Sequence, residues 1–130
     1  MAKYLWRDEF CIGHAKIDKQ HQQLFELLDK LYDEVCAGNA DSTVEEVVSE
    51  LVDYTRHHFF HEESMMRELN YPGLEKHQQE HQRLLQMVDE KMGTLRRGDK
   101  VMSIELPEFM NQWLTQHILK SDRELAQVLR

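Results

Sequence analysis

Apolar residues recur along this chain at alternating spacings of four and three, the pattern of amphipathic α-helices that turn one face toward a shared interior. Four such stretches are separated by short Gly, Pro, Asn and Asp breaks, with neither an internal repeat nor a low-complexity segment. The first runs from about Asp18 to Cys36 and aligns Ile17, His21, Leu24, Leu28, Leu31 and Val35, with Gly38-Asn39 as its stop. Ser42, followed three residues later by Glu45, reads as a capping box that opens the second. Its stripe is Val44, Val47, Val48, Leu51, Thr55, His58, Glu62, Met65, Met66 and Leu69, ended by Asn70-Tyr71-Pro72-Gly73. The third presents Leu74, His77, His81, Leu84, Leu85, Val88, Met92 and Leu95, with Arg96 and Arg97 beside the negative helix end. Pro107, read as a first-turn residue, opens the fourth, where Phe109, Met110, Trp113, Leu114, His117, Ile118 and Leu125 share a face. Short connections make neighbours antiparallel. The pattern therefore predicts an all-α, up-down-up-down four-helix bundle over residues 18–130. An irregular N-terminal arm, residues 1–17, packs over its end through Trp6, Phe10 and Ile12.

Composition narrows the function more than the fold. A chain of 130 residues makes one domain, residues 1–130, able to bury a sizeable core without staples. Its formal charge of -8, from 16 Lys+Arg against 24 Asp+Glu, repels phosphate backbones and anionic headgroups, so neither nucleic acid nor a bare membrane surface is an expected partner. No apolar run approaches the roughly 20 residues of a membrane span, and charge interrupts the N-terminus before a signal-peptide core forms. The expectation is a cytoplasmic monomer with Cys11 and Cys36 as free thiols.

Histidine is the composition's anomaly, with eight in the chain. Residues four apart on a helix differ by about 40° around the axis, so His58/Glu62 and His77/His81 can each reach one point in the interior. His21 and His117 add one imidazole from each remaining helix. Burying five imidazoles and a carboxylate without partners would cost a few kcal/mol for each unsatisfied group, a penalty that a metal removes. Imidazole and carboxylate suit iron, zinc, copper or nickel, and six or more ligands exceed the needs of one tetrahedral zinc, so a dinuclear centre is the economical reading. His77-Gln78-Gln79-Glu80-His81 also matches the short H-x-x-E-H pattern of a zinc hydrolase class with Glu80 as base, but that reading leaves His21, His58 and His117 without a purpose.

The combined spacing resembles the hemerythrin family. The residues that carry the resemblance are Ile17-Asp18-Lys19-Gln20-His21, His58-x-x-x-Glu62, His77-x-x-x-His81 and His117-x-x-x-x-Asp122, supported by Trp6, Phe10, Gly13 and Trp113. The resemblance implies two irons, one held by His77, His81 and His117 and the other by His21 and His58, with Glu62, Asp122 and an oxo or hydroxo group bridging. By the same resemblance the two-histidine iron keeps an open position, where dioxygen binds end-on and takes one electron from each iron. Asp122 follows His117 by five residues, about 140° round an ideal helix, so sharing a site predicts a π-like widening between them.

A histidine-rich centre without any Glu-x-x-His motif disfavours oxygen activation of the ferritin-like kind. The expected function is reversible dioxygen binding for transport, storage or delivery to an oxygen-consuming enzyme, including a membrane-bound one, rather than catalysis. A sensor of oxygen, redox state or nitric oxide is the alternative, and a peroxide-handling di-iron enzyme the third reading. Leu24 or Leu28, Phe59, Trp113, Leu114 and Ile118 are expected to form a dry oxygen pocket. His14, His57 and His61 fall outside the motif and read as surface or end-of-bundle residues. Glu63, about 100° round from Glu62, reads as solvated, and Asp18 as a first-turn acid or an orienter of His21. Met65, Met66, Met87, Met92 and Met110 read as plain core.

Overall fold

In a computed structural model, which describes residue 6 and residues 8–38, 41–97 and 100–129, the chain forms four long helices in chain order. They are α1 (Ala15–Cys36), α2 (Asp41–Glu68), α3 (Leu74–Arg96) and α4 (Lys100–His117); α4 continues through a five-residue π-helical turn, Ile118–Asp122, into α5 (Arg123–Leu129). No strand occurs among the described residues. The principal contacts run α1 to α2, α2 to α3, α3 to α4 and α4 back to α1. Cross-links show three of these pairs to be antiparallel, and α4 then runs antiparallel to α1: Gln20–His58 and Lys30–Glu50 join α1 to α2, His81–Glu63 and Arg96–Glu45 join α3 to α2, and Glu80–His117 and Lys91–Phe109 join α3 to α4. The architecture is thus the predicted up-down-up-down bundle.

The helix ends follow local chemistry. Gly38 takes φ 69 just past α1, and its N–H donates to the Val35 carbonyl. Asn70 takes φ 51 past α2, where its N–H donates to Arg67 and that of Tyr71 to Met66, so both orphan carbonyls are satisfied. Leu69 lies beyond that end and is 43% exposed, not on the buried stripe.

Three boundaries differ from the sequence reading. Helix α1 begins at Ala15, because His14 acts as its N-cap and accepts from the Ile17 N–H; the arm ends there and not at residue 17. Asp18 then falls in the first turn and accepts from the Ile12 N–H at 2.8 Å, tying the arm down. Helix α2 starts at Asp41, so Ser42 lies inside it, and its side chain is outside the described residues. Pro107 does not open α4 but sits within it. It removes one i→i−4 bond, and the turn before it persists because Leu106 is 1% exposed and Pro107 itself is buried.

The described part of the arm packs as expected. Phe10 stacks on Phe25 with centroids 5.1 Å apart, and Trp6 meets both edge-on at 5.6 and 5.9 Å. Arg123 donates to the Glu9 carbonyl, joining the arm to α5. Cys11 and Cys36 are free and exposed. Among the described residues no helix is long and apolar enough to cross a membrane.

Candidate metal centre

Each of the four long helices delivers at least one histidine to one buried layer. His21, His58, His77, His81 and His117 are all at most 6% exposed, and Glu62 and Asp122 are 0% exposed. The last helix can supply both His117 and Asp122 only because the π turn intervenes: i→i+5 bonding stacks residues five apart as i→i+4 bonding stacks residues four apart. The widening expected from that spacing is present.

The donor atoms separate into two groups. Nε2 of His77 lies 2.9 Å from Glu62 Oε1 and 3.0 Å from Asp122 Oδ1; Nε2 of His117 lies 3.2 Å from the same Asp122 oxygen and 3.1 Å from His81 Nε2. On the other side, His58 Nε2 is 2.9 Å from Glu62 Oε2, His21 Nε2 is 3.1 Å from Asp122 Oδ2, and the two nitrogens are 3.1 Å apart. Each carboxylate is therefore divided, one oxygen to each group. Five residues gather round one point and four round the other, Glu62 and Asp122 belonging to both.

These atoms fit metal ions better than they fit one another. His58, His81 and His117 point Nδ1 at Gln20, Glu63 and Glu80, at 2.7, 3.0 and 2.9 Å. Those acceptors take the Nδ1–H and leave Nε2 as a bare lone pair. With both imidazoles neutral, the 3.1 Å contact between His81 and His117 sets lone pair against lone pair, so it needs either an ion or a proton between them. Both Glu62 oxygens and Asp122 Oδ2 are buried without a directed hydrogen bond. Donors about 2.1 Å from one ion lie about 3.0 Å apart at right angles and about 3.4 Å apart at tetrahedral angles, so the 2.9–3.2 Å edges suit octahedral ions, while His81 and His21 stand farther from Glu62, at 3.5 and 3.8 Å.

Without an ion the same charges hold protons. Burial pushes His21 and His77 down, but Asp122 and Glu62 outweigh it and lift both to about 9. His117 is lifted against the same burial to about 10 by Asp122, with Glu80 assisting. At His58 burial wins over Glu62 and the imidazole is lowered. Glu62 and Asp122 would be raised by burial, yet the surrounding imidazoles, chiefly His58 and His117, hold both well below the carboxylate range.

An apolar cavity of about 10 Å³ lies against this layer, lined by Leu24, Leu28, Leu51, Thr55, Phe59, Leu84, Met110 and Leu114. Leu24 and Leu28 follow His21 by three and seven residues, Leu84 follows His81 by three, Thr55 and Leu51 precede His58, and Leu114 and Met110 precede His117. Those signs alternate as an antiparallel bundle requires. The one polar side chain in the lining, Thr55, donates to the Leu51 carbonyl at 2.7 Å. Trp113 and Ile118 do not line this cavity. Trp113 stacks on His117 at 4.5 Å, Ile118 is fully buried in the core, and Phe59 stacks on His81 at 3.7 Å.

Residues 13–129 match the sequence profile described as Hemerythrin HHE cation binding domain. The chain belongs to the hemerythrin family. Over 130 residues this hemerythrin is 32% identical to a bacteriohemerythrin of Pseudomonas aeruginosa (strain LESB58), covering 100% of this chain and 84% of the relative. A bacteriohemerythrin of Stenotrophomonas maltophilia (strain R551-3) is 34% identical over 126 residues, 97% of this chain and 81% of the relative. A hemerythrin-like protein of Naegleria gruberi is 28% identical over 128 residues, 98% and 95% of the two chains.

Three functional residues were missed or misread from sequence. Glu63 is only partly solvated: it accepts from His81, and that hydrogen bond above all keeps its carboxyl low. Glu80 accepts from His117 at 2.9 Å and from Ser121 at 2.6 Å, which holds it at about 2 and occupies the would-be hydrolytic base. Gln20 is buried and reaches His58. Its position three after Ile17 and four before Leu24, on the buried stripe, was the available signal. Of the histidines outside the motif, His14 caps α1, His57 is exposed and His61 is half-buried, and none joins either donor group.

Proposed function

We propose that this hemerythrin binds dioxygen reversibly at a non-haem di-iron centre, with residues 1–130 working as one unit that carries or buffers oxygen for an oxygen-consuming enzyme. The observation that carries the reading is the division of Glu62 and Asp122 between a three-histidine and a two-histidine group. Two irons supply reversible two-electron exchange with dioxygen. His77, His81 and His117 with one oxygen from each carboxylate would hold the first iron. His21, His58 and the remaining oxygens would hold the second, one donor short and therefore open to ligand.

The rest of the chain's work is exclusion and orientation. Phe59 and Trp113 lie flat on His81 and His117 and fix their planes. Leu24, Leu28, Phe59 and Leu114 line the adjoining cavity, and the Thr55 hydroxyl is already committed to Leu51. No acid or base in this lining can pass a proton to a bound ligand, as reversible binding needs.

The test is an iron and zinc count on anaerobically prepared protein, then visible spectra on adding and removing dioxygen. Two irons per chain and a charge-transfer band that comes and goes with oxygen support the proposal. Two irons that oxidise once without recovery point to a sensor or a peroxide-handling enzyme. One zinc without iron refutes the di-iron reading.

A further inference from the structure

The two halves of the centre are backed differently. On the three-histidine side, His81 and His117 each give their outer N–H to a carboxylate, Glu63 at 3.0 Å and Glu80 at 2.9 Å. Glu80 is itself fixed by the Ser121 hydroxyl at 2.6 Å. On the two-histidine side, His58 gives its N–H to the neutral amide oxygen of Gln20 at 2.7 Å, and His21 Nδ1 is buried with no partner. The inner carboxylates do not create this contrast, since each sends one oxygen to each half; the three-histidine half holds one more imidazole, and the outer carboxylates add to that difference.

An acceptor behind an imidazole raises the basicity of the nitrogen on the far side, and a carboxylate does so more than an amide because it carries a full charge. Two such carboxylates on one half and none on the other place about two units of negative charge behind a single ion. Glu63 is 17% exposed and Glu80 31% exposed at the side chain, so solvent screens them only in part.

We propose that Glu63 and Glu80 are positioning residues that make the three-histidine half the stronger metal site, while Gln20 leaves the two-histidine half weak, so that the centre fills and empties in a fixed order. The last ion to leave is the one held by His77, His81 and His117. This inference rests on the two-metal reading above and goes beyond it. The two-metal reading requires only that both sites exist and is indifferent to their relative strength.

The experiment follows release of ferrous iron from the fully loaded, reduced, anaerobic protein to excess bipyridine. Two phases of one iron each are expected, separated at least tenfold in rate. Outer-sphere partners change metal affinity by about 10- to 100-fold, so Glu63→Gln and Glu80→Gln should each accelerate the slow phase by about that factor and leave the fast phase within threefold. Gln20→Glu should do the reverse and slow the fast phase, bringing the two together. Glu80→Asp, which keeps the charge, should restore the slow phase in part. Should a glutamine variant not fold, Gln20→Glu carries the test alone, because it acts on the other half.

A single unresolved phase in the parent protein would overturn the proposal. So would carboxylate variants that speed both phases equally, the mark of a structural role, or a Gln20→Glu variant with an unaltered fast phase. A parent protein that never loads two irons would refute the two-metal reading itself, and that outcome is read from the metal count before any release is followed.

Discussion

Leu114 separates two ideas about why the cavity is dry: that it is small, and that it is apolar. The side chain is 7% exposed and lines the cavity three residues before His117. Truncation to alanine removes buried methyl groups from an unyielding site and costs about 2–5 kcal/mol, or about 8–20 °C in Tm for a chain of this size. It also enlarges a space that now holds about 10 Å³, close to one water-sized sphere. A buried water needs two to four polar partners as well as room. After Leu114→Ala the Thr55 hydroxyl is still the only polar side chain in the lining, and it already donates to Leu51. The larger cavity stays dry. Leu114→Ser adds a hydroxyl facing Thr55 and supplies the second partner, so water enters. Polarity therefore predicts that Leu114→Ser accelerates autoxidation of the oxygenated protein by about tenfold or more, equivalent to about 1.4 kcal/mol in the barrier, while Leu114→Ala changes it little. Leu114→Ser loses more stability than Leu114→Ala, because its hydroxyl is desolvated as well. The assay is the decay of the oxygenated visible band at fixed temperature, with a thermal melt on each variant. An unchanged rate in Leu114→Ser rejects the shielding role. Equal acceleration in both variants shows that volume and not polarity keeps water out.

Other consequences are open to simpler assays. In the metal-free protein, His21 and His77 at about 9 and His117 at about 10 sit above the unfolded value near 6.5, so their contribution to stability is complete below about pH 6.5 and is lost as pH rises through 9 to 10. Its Tm should fall over that interval, and a flat profile would contradict the charge arrangement. Deleting Lys120 should remove the extra residue of the π turn and leave the aspartate four residues after His117 on a regular α-helix, hence on the same face; circular dichroism should keep its helical amplitude and two metals per chain should still bind, and loss of bound metal would show that the π turn sets more than the spacing. Phe10, 1% exposed and stacked on Phe25, should lose about 3–5 kcal/mol on replacement by alanine; a melt lowered by less than about 5 °C would show that the arm contributes little.

Much of this molecule is local information. The three-four periodicity alone places Leu24, Leu28, Val48, Leu51, Leu84, Val88 and Leu114 inside, because a helix repeats every 3.6 residues whatever surrounds it. The same arithmetic carries His21, His58, Glu62, His77 and His81 to the interior. It does not select Asp122, which only the family motif pairs with His117; once the two are taken to share a site, a spacing of five can be reconciled with a helix only by widening it, and the π turn is there. Gly38 and Asn70 are legible as stops because the left-handed backbone that ends a helix favours those residues.

What the chain leaves open is whatever depends on a neighbour. Glu63 and Glu80 are ordinary surface acids in a helical pattern, and become partners of His81 and His117 only when α2 lies beside α3, and α3 beside α4, at one particular depth. Gln20 gains its meaning from His58, 38 residues away. Pro107 reads as a helix start because proline lacks the N–H, and only the burial of Leu106 and Pro107 lets the helix pass through it. The different backing of the two halves, carboxylate behind His81 and His117 and amide behind His58, is likewise invisible in the ligand motif, which names the histidines and not what stands behind them. Periodicity is a property of one helix and can be read from its residues, whereas a hydrogen bond between helices is a property of their packing register, which tertiary structure alone decides.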